Sequence, residues 1–264
     1  MGDLRLVATD LDGTIVRPDN SVSARTRAAL QAVKGSGRVL VLVTGRPLRW
    51  MTGIADAAGH AGLAICSNGA VRYDLHTEQV LGRQPIQADV LEEVTSRLRV
   101  AIPGVLFGAE YGDGFGFEPG YLATDDAPAD LVAMQSVTGR PAVKLLARHT
   151  DLSADEMLAR AQATVADLVT VTHSARPGTG LLEISLLGVT KASELSRFAA
   201  EHGIDAGEVL AFGDMPNDIP MLRWAGRSVA VANAHPDARA AADETTASVD
   251  DDGVAQVLEL LLTR

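Results

Sequence analysis

Asp10 and Asp12 stand two residues apart, directly after a short apolar run from Leu4 to Ala8, and Gly13-Thr14 follow them. The run is apolar and β-branched enough for a buried strand, and Gly13 is a turn residue at its end. Both carboxylates are then delivered to the C-terminal edge of a strand, where open α/β sheets bind ligands. Such a pair can hold a hard cation through oxygen ligands and leave one carboxylate as a nucleophile. The plainer reading is an Asp-rich turn closing a hairpin, since Asp-Gly also marks turns.

Three further segments place polar residues at a strand end or a helix start. Thr44-Gly45-Arg46 follows the apolar run Arg38 to Thr44. Thr44 and Gly45 offer a hydroxyl and backbone N–H groups near a helix start, a natural anion site. Arg46 either pairs with a carboxylate or contacts substrate. Lys191 opens a helical stretch, a poor place for a cation because of the helix dipole, so an anion or a nearby carboxylate must account for it. Asp214, with Asn217 and Asp218, follows the run Val209 to Phe212. Asn217-Asp218 also suits the cap of the next helix. In a parallel sheet all these edges face the same way, so distant segments converge.

The stretches that must position these residues alternate. After Leu4–Thr9 the spacing predicts a helix from Ser23 to Val33, with Ser23 as N-cap. Arg38 to Thr44 is a second strand. Pro47 suits the first turn of a helix running to about Ala58. Leu63 to Ser67 is a third strand, and Asn68-Gly69 is read as a turn. This rhythm implies parallel strands with right-handed crossovers. From about Pro85 to Gly180 it changes. A helix is expected over Asp89 to Val100, a Gly-rich hairpin turn within Tyr111 to Gly116, a strand over Ala142 to Ala147, and a helix over Ser153 to Val165 opened by a Ser153/Glu156 capping box. Strands over Leu168 to Thr172 and Leu181 to Leu187 flank a turn at Arg176-Pro177-Gly178. Helices over Lys191 to His202, Asn217 to Trp224 and Gly253 to Leu262 then alternate with strands over Val209 to Phe212 and Ser228 to Ala232. The expected organisation is one α/β domain from residues 1–84 and 181–264, with an α+β unit over 85–180 inserted in it.

A net charge of −11 argues against nucleic acid or an anionic membrane as the main partner. A phosphorylated small molecule stays compatible, because a metal ion and a few donors can reverse the field inside a cleft. The one cysteine, Cys66, excludes an internal disulfide and reads as a small buried residue. The N-terminus lacks the pattern of a signal peptide, and no apolar stretch reaches the ~18 residues of a membrane span, so a cytoplasmic protein is expected. The six histidines show no metal-ligand spacing. Trp50 and Trp224 read as packing residues and Glu183 as structural. Lys144, Arg148 and His149 could bind the distal group of a substrate, but read first as an exposed basic strand.

Taken in order, Asp10-x-Asp12-Gly-Thr, Val43-Thr44-Gly45-Arg46, Gly188-Val189-Thr190-Lys191 and Gly213-Asp214-Met-Pro-Asn217-Asp218 resemble the four motifs of the haloacid dehalogenase superfamily. Ser67-Asn68-Gly69-Ala70 and the long insertion after it are similar to those of its Cof-type phosphatases. One departure is visible: Ala192 follows Lys191 where the family usually has glycine, and alanine is the better helix former. The resemblance implies an α/β fold, a Rossmann-like parallel-sheet core with an inserted α+β cap domain that governs substrate choice. It implies Asp10 as nucleophile and Asp12 as general acid, then base. It implies Mg²⁺ held by the Asp10 carboxylate, the Asp12 carbonyl and Asp214. Phosphate would be bound by Leu11 N–H, Thr44, Gly45, Lys191 and Asn217, the last either donating to phosphate or holding Lys191. Asp218 would orient Lys191 or a metal-bound water. The expected activity is hydrolysis of small phosphomonoesters, sugar phosphates first. The alternatives are a phosphotransferase or phosphomutase with the same intermediate, or a non-catalytic phospho-ligand sensor.

Overall fold

The computed structural model describes residues 4–51, 53–54, 62–122, 131–174 and 180–263. Along the chain it places β1 (Leu6–Thr9), α1 (Ala24–Gly35), β2 (Val39–Val43), β3 (Leu63–Cys66), β4 (Val71–Asp74) and β5 (Gln79–Arg83). Then come α2 (Ala88–Ala101), β6 (Leu106–Glu110), β7 (Phe115–Phe117), β8 (Leu131–Ala133), β9 (Lys144–His149), α3 (Ala154–Val165), β10 (Val169–Thr172) and β11 (Gly180–Leu186). The last stretch holds α4 (Lys191–Glu201), β12 (Val209–Gly213), α5 (Ile219–Trp224), β13 (Arg227–Val231), α6 (Pro236–Ala241), β14 (Glu244–Thr246) and α7 (Gly253–Leu262).

Two compact units result. The first comprises Met1–Arg46, Trp50–Gly82 and Thr190–Arg264. Its sheet runs in the order β14-β13-β12-β1-β2-β3-β4-β5, parallel from β14 to β3. Apart from Thr9, the central strands β1, β2 and β12 carry no polar side chain, and they are buried on both faces, as parallel strands covered by helices must be. Ala8 lies opposite both Ala211 and Val41, so Asp10, Asp214 and Thr44 leave neighbouring strands at the same edge. Ser23 caps α1 by accepting from Thr26 N–H at 3.0 Å. The sequence reading did not anticipate β4 and β5. They extend the sheet, β4 running antiparallel to β3. β5 is largely exposed, so it lacks the apolar run that betrays a central strand. Burial pushes the Cys66 thiol up to about 12, which makes it an inert packing group.

The second unit comprises Pro47–Arg49 and Arg83–Val189. Its sheet runs β10-β11-β9-β6-β7-β8, antiparallel except where β7 meets β8. Leu91, Val94 and Leu98 of α2 and Met157, Ala161 and Val165 of α3 face Phe107, Ala109, Leu145, Ala147, Leu182 and Ile184. Helical spacing on one side thus meets strand alternation on the other. The Ser153/Glu156 capping box starts α3.

The boundary expected at 180 moves. β11 pairs with β9 and β10, so the second unit runs on to Val189 and the chain rejoins the first unit at Thr190. Alternation along Leu182, Glu183, Ile184 and Ser185 marks a strand but does not say which sheet it joins. Lys144 is also unlike its expectation. It is buried and hydrogen-bonded to buried Glu183, which also accepts from Ser174 Oγ at 2.9 Å. Its partner lies on a different strand, far along the sequence. Trp50, read as a packing residue, is 54% exposed. The helix expected after Pro47 shows only the turn Leu48–Trp50 and residues 53–54, and most of its remainder lies outside the described residues, as does the turn at 176–178. No helix of the described residues is long and apolar enough to cross a membrane.

Candidate active site

Asp10 follows β1 and is 4% exposed. Its Oδ1 accepts from Lys191 Nζ at 2.5 Å, while its Oδ2 is buried without a hydrogen-bond donor among the described residues. Lys191 is the first residue of α4, whose N-cap Thr190 accepts from Ser193 N–H at 3.0 Å. The unfavourable helix dipole is offset as the sequence requires, by anions: Nζ also donates to Asp218 Oδ1 at 2.7 Å. Asp218 Oδ2 accepts from Asp214 N–H and Met215 N–H, each at 3.0 Å. Asp218 therefore caps its own turn and fixes Lys191 at once.

Asp214 lies at the end of β12, in reach of Thr14 Oγ1 at 3.4 Å. The turn after Asp12 passes so close that a Cβ on Gly13 would stand 2.2 Å from Asp214 Oδ2, and Gly13 has φ +81°. Only glycine fits there. Asn233 secures the turn, donating to Gly13 O at 2.8 Å and accepting from Val249 N–H at 2.9 Å.

Burial pushes the Asp10 carboxyl up to about 7, with Lys191 opposing and the Asp218 and Asp12 charges adding to the rise. Burial, then Asp10 and Asp218, pushes Asp214 to about 9. Burial alone would lower the Lys191 ammonium, but Asp10 and Asp218 outweigh it and hold the group charged.

The other expected residues divide. Thr44 is fully buried and its Oγ1 accepts from Arg46 N–H at 3.0 Å. Gly45 lies between them. Leu11 is buried, and its carbonyl accepts from Ile15 and Val16 N–H groups. The Asp12 side chain is half-exposed and engaged through both oxygens by Arg46, whose Nε lies 2.7 Å from Asp12 Oδ2. Arg46 also donates to Asn20 Oδ1 at 2.8 Å. Asn217 is buried, but its Nδ2 donates to Asn68 Oδ1 at 3.0 Å, and Lys191 is held by Asp10 and Asp218 instead. Asn68, Thr14, Asn20 and Asn233 were missed in the sequence. Two of them carried a signal, Asn68 as a polar residue at a strand end and Thr14 as the last residue of the Asp10 motif.

The profile of the haloacid dehalogenase-like hydrolases matches residues 7–110 and 123–258. The chain belongs to this family. It is 28% identical to the Bacillus subtilis protein YxeH, over 98% of this chain and 99% of that one. It is 27% identical to 5-amino-6-(5-phospho-D-ribitylamino)uracil phosphatase YitU of Bacillus subtilis, over 96% of each chain. The fold is that of SMU.1108c from Streptococcus mutans, at a TM-score of 0.87 and 20% identity over 99% of this chain and 100% of that one.

For a haloacid dehalogenase-like hydrolase a divalent cation is the expected cofactor, and the residues fit one. Carboxylate oxygens of Asp10, Asp214 and Asp218 lie within 4.8 Å of one another, an all-oxygen set suited to a hard cation. Both Asp218 oxygens are already engaged, whereas Asp10 keeps one buried oxygen without a donor. Ligand capacity thus concentrates on Asp10 and Asp214.

These shifts predict a pH signature. Asp10 and Asp214 are raised in the folded state, to about 7 and about 9, so without cation it holds protons that the unfolded chain releases near pH ~4. The contribution of these two groups to metal-free stability is then largest at low pH and is lost as pH rises through about 7 and about 9. A cation displaces those protons. The gain in Tm from MgCl₂ over chelator should be larger at pH 8.5 than at pH 6, and calorimetric titrations in two buffers should show proton release. An equal gain at both pH values would place the cation elsewhere.

Proposed function

We propose that this chain is a Mg²⁺-dependent phosphomonoester hydrolase of small phosphorylated metabolites, sugar phosphates first, working through an aspartyl-phosphate on Asp10. One observation carries the reading: a buried carboxylate at the sheet edge, with one oxygen committed to Lys191 and the other without a donor. A structural ion pair needs no such second oxygen. The name of YitU, which specifies a phosphorylated ribityl chain, supports a polyhydroxylated leaving group.

In this reading Asp10 attacks phosphorus and the bond to the leaving oxygen breaks. Asp12 gives that oxygen a proton, then takes one from the water that cleaves the aspartyl-phosphate. Lys191 and Asn217, with the Thr44 hydroxyl and the N–H groups of Leu11 and Gly45, meet the phosphoryl oxygens. Asp218 keeps Lys191 aimed. Mg²⁺ held by Asp10, the Asp12 carbonyl and Asp214 supplies positive charge that offsets repulsion between carboxylate and phosphate. Asp12 can act only once Arg46 releases it, because the guanidinium engages both of its oxygens. Every group named lies outside the inserted unit, so the insertion is left to govern substrate choice.

Phosphate release from p-nitrophenyl phosphate and from a panel of sugar phosphates in MgCl₂ tests the activity. No release from any of them would defeat it, and transfer to an added sugar in place of water would favour a phosphotransferase. Asp12→Ala should lower turnover of alkyl phosphates by on the order of 10²–10⁴. It should slow p-nitrophenyl phosphate far less, since that leaving group needs little protonation. Equal losses for both would remove the acid role from Asp12.

A further inference from the structure

The segment after β3 makes a tight, buried turn. Ser67, Asn68 and Gly69 are all buried, with φ of +50°, +56° and +107° in succession. A non-glycine residue held in this region costs of order 1–3 kcal/mol and persists only where its surroundings over-determine it. They do so here. Ser67 N–H donates to Arg46 O at 2.9 Å and Asn68 N–H to Thr44 O at 3.0 Å. A Cβ on Gly69 would lie 2.3 Å from Thr190 O, beside the start of α4. The Asn68 side chain meets Asn217. One three-residue turn therefore touches the Thr44 segment, the residue before Lys191, and Asn217.

The side chains are costly as well. Asn68 Nδ2, Asn217 Oδ1 and Ser67 Oγ are buried without a hydrogen-bond partner among the described residues. Each unmet polar group in such a place is destabilising. Glycine would relieve both the backbone and the unmet amide at position 68. Asparagine tolerates this backbone conformation, but the shape of the turn does not call for the buried, unmet Nδ2 that it brings.

We propose that Asn68 is a positioning residue for phosphoryl transfer: it accepts from the Asn217 amide and so fixes the direction in which Asn217 presents its remaining N–H. This rests on the reading of Asn217 as a phosphate-binding residue. Asn68 lies in none of the segments that bind phosphate in that reading, yet it joins the Thr44 segment to Asn217 from the end of another strand.

The test is a cycle of Asn68→Gly, Asn217→Ala and the double variant, read in Mg²⁺-loaded enzyme by kcat/KM, by inhibition by inorganic phosphate, and by Tm. Glycine suits φ +56°, so Asn68→Gly should melt no lower than wild type. Its kcat/KM should still fall about 10- to 100-fold, the range typical of groups that orient a ligand-binding side chain, and inorganic phosphate should inhibit it more weakly. The double variant should be no worse than Asn217→Ala alone, because Asn68 acts through Asn217. If Asn217→Ala is impaired while Asn68→Gly keeps wild-type kcat/KM and phosphate inhibition, the inference is wrong and the parent reading stands. It is equally wrong if the double variant loses the product of the two single factors. If Asn217→Ala is itself fully active, the parent reading of Asn217 fails first.

Discussion

Asp10→Asn should abolish turnover, by on the order of 10⁴-fold or more, as the loss of a covalent nucleophile does elsewhere. The amide is nearly isosteric, so the apolar run of β1 and the turn at Gly13 keep their packing. What disappears is the anionic oxygen that bonds to phosphorus in the proposed reaction, since an amide oxygen is too weak a nucleophile and carries no charge to hold a cation. Lys191 loses one anion but keeps Asp218 at 2.7 Å. The crowding of Asp10, Asp214 and Asp218 is relieved, so metal-free Tm at pH 8 should not drop. Intact-protein mass spectrometry after mixing with substrate should show no covalently bound phosphate. Wild-type turnover in the variant would remove Asp10 from the reaction altogether.

What the sequence made legible follows from where its signals are local. Runs such as Val39–Val43 and Val209–Phe212 are apolar because both sheet faces are covered, and a polar residue follows each, Thr44 directly and Asp214 after Gly213, so strand, edge and site are read together. Capping is local too, and Ser23, Ser153 and Thr190 start helices as their side chains allow. Pairings between distant segments leave no such mark. Lys144 looks like a surface lysine until Glu183 is beside it. β11 looks like a strand of either unit until β9 claims it. Asn68 is the instructive case. Asn-Gly after a strand announces a turn, and a turn is present, but its partner is Asn217, 149 positions away. Arg46 could have met substrate or a carboxylate, and in this structure it meets the carboxylate of Asp12.

Lys191→Met should show how much of this arrangement is held by one charge. Methionine matches the unbranched stem and fills the same buried space, so packing of α4 is preserved. The ammonium between Asp10 and Asp218 is lost. Breaking a buried ion pair by removing one partner typically costs about 3–5 kcal/mol, because the charge left behind is neither solvated nor paired. Here the sign depends on pH. Lys191 opposes the rise of the Asp10 carboxyl, so its loss raises that carboxyl further. The folded variant then survives by holding protons, and its stability is kept below the ordinary carboxylate range and lost as pH climbs through neutral. The deficit in Tm against wild type should therefore be small at pH 5 and large at pH 8. Excess Mg²⁺, which can neutralise Asp10 and Asp214, should recover much of the deficit. It should not recover turnover, expected to fall by on the order of 10²–10³ as when a donor to transition-state charge is removed, because in the proposed reaction the lost charge meets the transferring oxygens. A deficit of the same size at pH 5 and pH 8 would mean that Lys191 supports the fold by packing, and that the charge network drawn around it does not govern the site.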